Sequence, residues 1–132
     1  MFTIGFRTQE FPTDLEGDLD WCNGQPGSAV ANWLRSVLSE QGIGVGEPLQ
    51  EDYGWGFWLE DPSTVWVAIS YAGGEQGNPA DDPVWYVSVS HEISIFAPRQ
   101  WFRRQLGRAL VSQVFAAIND AISQRSGIMI IE

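Results

Sequence analysis

Trp85-Tyr86-Val87-Ser88-Val89-Ser90-His91-Glu92-Ile93-Ser94-Ile95 alternates without a break between two kinds of side chain. Trp85, Val87, Val89, His91, Ile93 and Ile95 share one face, and Tyr86, Ser88, Ser90, Glu92 and Ser94 share the other. This pattern reads as a strand buried on one side, of the kind found in antiparallel sheets. The Ser-rich side is then the open or partner-facing side.

Working outward, Trp55, Phe57 and Leu59 alternate with Gly54, Gly56 and Trp58, which predicts a strand over 54–60. Asp61-Pro62-Ser63 is a turn signal, and residues 64–71 are rich in β-branched and aromatic side chains, so the two runs read as an antiparallel hairpin. Residues 72–83 form a polar turn region. Near the start, Phe2, Ile4 and Phe6 predict a short strand over 2–7, and residues 8–27, with two prolines, three glycines and five acids, read as a long loop. Val30, Trp33, Leu34, Val37 and Leu38 recur at helical spacing. They predict a helix over 28–41 with Ser28 as its N-cap and Gly42 as its C′ residue. Gly42, Gly44 and Gly46 then read as a flexible connection.

Downstream, Pro98 suits the first turn of a second helix. Phe102, Leu106, Leu110, Val114, Ala117 and Ala121 form one stripe on it, with Val111, Phe115, Ile118 and Ile122 beside them, as far as about Arg125. Gly127 closes this helix and Ile128–Ile131 return as a last strand. The order β-α-β-β-β-α-β defines an α+β fold, a mainly antiparallel sheet with two helices packed on one face, in a single domain over 1–132.

The 132 residues include seven Trp, one Cys, one His and no Lys, and the formal net charge is −10. A field this negative repels nucleic acid and anionic membranes and favours basic partners, divalent cations or plain solubility. Cys22 has no second cysteine to bridge with, which fits a reducing compartment. No leader pattern opens the chain and no apolar run reaches the length of a membrane span, so a cytoplasmic protein is expected.

Catalytic and metal chemistry find little support. A Ser-His-Asp or Cys-His set must use His91, which falls on the apolar side of its strand, where a structural histidine is expected. Zinc needs more Cys and His than one of each. Asp14, Glu16, Asp18 and Asp20 stand at every second position around Gly17, as in an oxygen-ligand cation loop, but the spacing is not that of an EF-hand, and a solvated acidic loop accounts for it. Gly42-Ile43-Gly44-Val45-Gly46 follows a helix instead of opening one and no Gly-Lys pair exists, so it is not a phosphate loop. No cofactor is expected.

Two features remain. Residues 1–61 carry a net charge of −9, residues 62–96 carry −4, and residues 97–132 carry +3. Arg99, Arg103, Arg104 and Arg108 crowd the start of the last helix, where the helix dipole disfavours cations, so they need anionic partners, either the chain's own acids from 10–20 or 47–52 or an acidic patch on another chain. The second feature is Glu51-Asp52-Tyr53-Gly54-Trp55-Gly56-Phe57-Trp58, four aromatics led by two acids. Trp55 and Phe57 are expected on the core side with Tyr53 in phase, and Trp58 on the opposite face, which reads equally as an exposed contact anchor or as part of an aromatic cluster covered by a helix.

Trp33-Leu34, Gly42, Pro48-Leu49-Gln50-Glu51-Asp52-Tyr53-Gly54-Trp55 and Trp66-Val67-Ala68-Ile69 together resemble small bacterial proteins of the polymorphic-toxin immunity type, over about residues 30–70. The resemblance implies a small cytoplasmic inhibitor with no catalytic residues to carry over. The sequence thus points to a non-enzymatic module that binds a basic protein through Asp14, Glu16, Asp18, Asp20, Glu51, Asp52, Tyr53 and Trp58, with Arg99, Arg103, Arg104 and Arg108 as a second interface. A self-associating structural or accessory protein is one alternative. A divalent-cation-dependent enzyme using the 14–20 loop is another.

Overall fold

The structure is a computed structural model and describes residues 1–13, 24–60, 65–92 and 104–131. The strands are β1 (Phe2–Thr8), β2 (Leu49–Glu51), β3 (Gly54–Trp58), β4 (Val65–Tyr71), β5 (Val84–His91) and β6 (Ile128–Ile131), and the helices are α1 (Ser28–Glu40) and α2 (Arg104–Gln124). All six strands join one antiparallel sheet in the order β2-β3-β4-β5-β1-β6. The fold is the expected α+β arrangement, with β2 added.

Alternation explains the layering. In β4 and β5, Val65, Val67, Ile69, Trp85, Val87 and Val89 are fully buried on the side that faces the helices. Trp55 and Phe57 of β3 and Ile4 and Phe6 of β1 join them through the register Trp55↔Ile69, Phe57↔Val67, Ile4↔Val87 and Phe6↔Trp85. From α1, Val30, Ala31, Leu34 and Leu38 close the core, and from α2, Val111, Val114, Ala117, Ile118 and Ile122 do so. The buried seam of α2 therefore runs between its two expected stripes, with Val114 and Ala117 from the first and Val111, Ile118 and Ile122 from the second. Leu110 and Ala121 sit at its margin, half-buried, and Phe115 stacks on Phe2 with ring centroids 5.2 Å apart.

The ends of α1 show how local chemistry frames the core. Gly42, at φ +79°, and Ile43 donate to the carbonyls of Ser39 and Leu38 at 3.0 Å each. This is a Schellman closure, which needs a left-handed residue at C′ and is met by the expected glycine. The other end corrects an expectation. Gly27, not Ser28, is the N-cap, and Ser28 is the first helical residue. Gly27 has φ +144°, and a Cβ there would lie 2.9 Å from Trp55 Cδ1. Only glycine meets both demands.

The connection after α1 is not the free tether expected of three glycines. Gly46 donates to the Trp58 carbonyl at 2.8 Å, Glu60 donates to the Gly44 carbonyl at 3.0 Å, and Val45 bridges Leu59. The 8–27 segment is likewise anchored where it is described. Phe11 is buried, with its ring 5.5 Å from Trp33 and 6.4 Å from Trp85. Arg125 Nε donates to Glu10 Oε2 at 2.6 Å while its guanidinium lies 4.9 Å from the Phe11 ring and 4.6 Å from the Trp33 ring. One of the chain's own acids from the 10–20 region thus satisfies an arginine at the end of α2.

Candidate functional site

The face of the sheet away from the helices carries the residues left over by the alternation. Gly54, Gly56 and Trp58 come from β3, Trp66, Ala68 and Ser70 from β4, Tyr86, Ser88 and Ser90 from β5, and Thr3, Gly5 and Arg7 from β1. Among the described residues no helix packs on it, and the Ser-rich side of β5 lies on it as expected.

Two aromatic side chains lie across glycines on this face. A Cβ at Gly56 would fall 2.1 Å from Trp66 Cζ2, and one at Gly5 would fall 2.6 Å from Tyr86 Cε1. Glycine inside a strand gives up side-chain packing, and here a neighbouring ring recovers it. Trp66 is thereby almost fully buried without any helix above it, and Trp58, its cross-strand partner, packs against it with centroids 4.7 Å apart and planes at 51°.

Tyr53 joins this group, contrary to the phase expected for it. Gly54 has φ +155°, and a Cβ there would lie 2.2 Å from the Ile69 carbonyl oxygen. Residues 52 and 53 are a turn between β2 and β3, so counting alternation backward through Gly54 fails. Tyr53 instead reaches over the open side, 45% exposed, and its Oη accepts a hydrogen bond from Trp66 Nε1 at 2.8 Å. Trp55 and Phe57 face the core and Trp58 the opposite side, as expected.

Two acids flank the Tyr53–Trp66 pair from opposite ends of the strands. Glu51 ends β2, and Glu92 follows β5, where its Oε1 accepts from Ser90 Oγ at 2.8 Å. Ser90 is the register partner of Trp66. Burial raises the Tyr53 pKa most, the Trp66 hydrogen bond opposes this, and the negative charges of Glu51 and Glu92 raise it further. Of the expected contact residues, Glu51 and Tyr53 stand at the β2–β3 turn and Trp58 at the opposite end of β3, with the Trp66 ring between them; Asp52 is exposed in that turn, and Trp66 and Glu92 are additions. Gly56 within a strand was the sequence signal for Trp66, since such a glycine marks a close approach.

The other expected sites stand differently. Asp14, Glu16, Asp18, Asp20, Arg99 and Arg103 lie outside the described residues, as does the Arg104 side chain. Arg108 is exposed and borders a cleft of about 810 Å³ with Phe2, Ser90, His91, Glu92 and Ser112. His91 sits half-buried on the helix side of β5, where a Cβ on Gly107 would lie 2.1 Å from its Cε1. Ser90 and His91 are consecutive in a strand and so point to opposite faces. Ser90 moreover donates to Glu92, and these two residues do not form a nucleophile and base pair. Among the described residues no group of three or more His, Cys, Asp or Glu could hold a metal ion, and no helix is long and apolar enough to cross a membrane.

Compared with known protein families, curated proteins and solved structures, the chain matches none.

Proposed function

We propose that this protein is a non-enzymatic binding module that uses the aromatic row of its open sheet face, with the acids flanking it, to hold a basic protein partner, in the manner of an immunity-type inhibitor. The observation that carries the reading is the aromatic row of Tyr53, Trp66 and Trp58 on the open face, flanked by Glu51 at one end and Glu92 at the other, in a chain of net charge −10. Half-exposed aromatics provide contact area at low entropic cost, and acids around them steer and orient a basic partner.

The test is affinity capture from the native host's lysate, washed at low and high salt, with the chain and its Glu51→Gln/Trp58→Ala variant as parallel baits. The expected result is one stoichiometric basic protein that survives moderate salt on the former and is lost from the variant. Equal recovery on both baits would remove this face from the reading, and recovery of bait alone would remove the reading itself.

Self-association is a second reading, favoured by β6. It is an edge strand of four apolar residues, Ile-Met-Ile-Ile, in which Met129 is 68% exposed and Ile130 is 38% exposed. Such an edge is a template for pairing with another strand. A solution mass that rises with concentration, and that Met129→Lys returns to the monomer value, is the expected signature.

A further inference from the structure

The molecule already contains one complete arginine seat. Arg125 lies over Phe11 and Trp33, at 4.9 and 4.6 Å from the ring centroids, and its Nε donates to the Glu10 carboxylate at 2.6 Å. Two aromatic rings hold the flat guanidinium and one carboxylate takes its N–H groups. An ammonium matches this arrangement less well, being compact, strongly hydrated and unable to stack.

The open face holds a second set of the same groups. Trp58 and Trp66 supply two indoles at 4.7 Å, and Trp66 is immobilised by Gly56 beneath it and by the Tyr53 hydroxyl that accepts its N–H. Trp58 remains half-exposed beside this fixed ring. Glu92 provides the carboxylate, and its bond from the neutral Ser90 hydroxyl orients it without cancelling its charge. Two of the chain's described arginines are tied down elsewhere. Arg35 is tied to Glu47 and the Gly46 carbonyl, and Arg125 is tied to Glu10. Arg7 lies opposite Val84 and Met129, toward the other end of the strands, and Arg108, on α2, borders the cleft that Ser90 and Glu92 also line.

We propose that this end of the open face is an arginine-docking seat, in which a guanidinium of the basic partner stacks on Trp58 and pairs with the Glu92 carboxylate. The inference rests on the binding reading above and specifies the chemical group that the partner must present. It makes the site selective for arginine over lysine, beyond what a negative field alone distinguishes. A stacked and partly desolvated cation contributes about a tenfold change in affinity.

The test uses the full chain with a short oligoarginine peptide and an oligolysine peptide of equal length. Binding is followed by calorimetry at low and moderate salt and by the indole N–H resonances of the tryptophans. The seat predicts that oligoarginine binds about tenfold more tightly and shifts the Trp58 and Trp66 indole signals. Trp58→Ala should remove this preference, Trp58→Phe should restore part of it, and the exposed Glu92→Gln should weaken oligoarginine binding with the melting temperature unchanged. Equal affinity for the two peptides, indifferent to Trp58, overturns the seat while leaving a generally acidic binding module standing. No oligoarginine binding at low salt overturns the seat too, and capture of a basic partner from lysate then decides the broader reading separately.

Discussion

On β4 and β5 the side chains facing the helices, Val65, Val67, Ile69, Trp85, Val87 and Val89, are all fully buried, whereas their neighbours Ala68, Ser70, Tyr86, Ser88 and Ser90 are half or fully exposed. The same backbone thus carries two different solutions to the problem of keeping a sheet together. Toward the helices, branched and aromatic side chains interlock with α1 and α2 and gain from the loss of water contact. Away from them the sheet covers itself locally, with Trp66 lying on Gly56 and Tyr86 on Gly5. The first arrangement is dry and spends its surface on stability. The second leaves Tyr53, Trp58, Glu51 and Glu92 at the water boundary, where another molecule can meet them.

The contrast is broken most directly on β3, whose residues serve both faces. Phe57 is fully buried, so Phe57→Ala should destabilise the protein by about 3–5 kcal/mol in urea unfolding, through lost transfer energy and the cavity left behind. A loss below about 1 kcal/mol would mean that the helix side is far less tightly packed than its burial implies. One position earlier, Gly56→Ala adds a single methyl on the open side, directly against the Trp66 ring. It should cost about 1–3 kcal/mol by overpacking. Combined with Trp66→Ala, the two changes should be strongly non-additive, because the second removes the obstacle. Full additivity in that cycle would show that Trp66 does not depend on the glycine.

The smallest effect sharpens the comparison at its polar edge. Tyr53→Phe removes the acceptor of the Trp66 N–H and should cost about 1 kcal/mol near neutral pH. It should also change the alkaline limb of stability. Burial, with help from Glu51 and Glu92, raises the folded-state pKa of Tyr53 above its unfolded value of 10.0. Its contribution is therefore fully present below about pH 10 and lost as pH rises through the folded pKa. The parent should lose stability above that point more steeply than the variant. Tyr71, whose pKa is raised first by burial and then by Asp81 and Glu75, keeps part of the alkaline loss in both. Parallel alkaline curves for the two proteins would contradict the assignment to Tyr53.

Much of this architecture is legible in the chain itself. The alternation of Trp85–His91 and Gly54–Trp58, the apolar spacing of α1 and the glycine at its C′ position are local signals. The three-residue β2, Leu49–Glu51, escapes them because so short a strand has no period to read. Gln9 shows a second kind of hidden information. Its side chain donates to the Asn78 carbonyl and to Asp82, and accepts from the Gly77 N–H at 2.7 Å, pinning the polar 72–83 turn to the end of β1. These partners lie 68 to 73 residues away in the chain, and no spacing rule reaches so far.

The candidate site divides along the same line. Sequence alone determined the types of the longer elements, which residues of those strands share a face, and the acidic, lysine-free composition, because backbone periodicity and charge are properties of the chain. Tertiary structure decided the strand order, the meeting of Trp58 with Trp66 and of Trp66 with Tyr53, and the side on which Tyr53 stands. These depend on non-local pairing and on the local backbone of Gly54, where a side chain would collide with the Ile69 carbonyl, and neither is encoded in the period of a single strand.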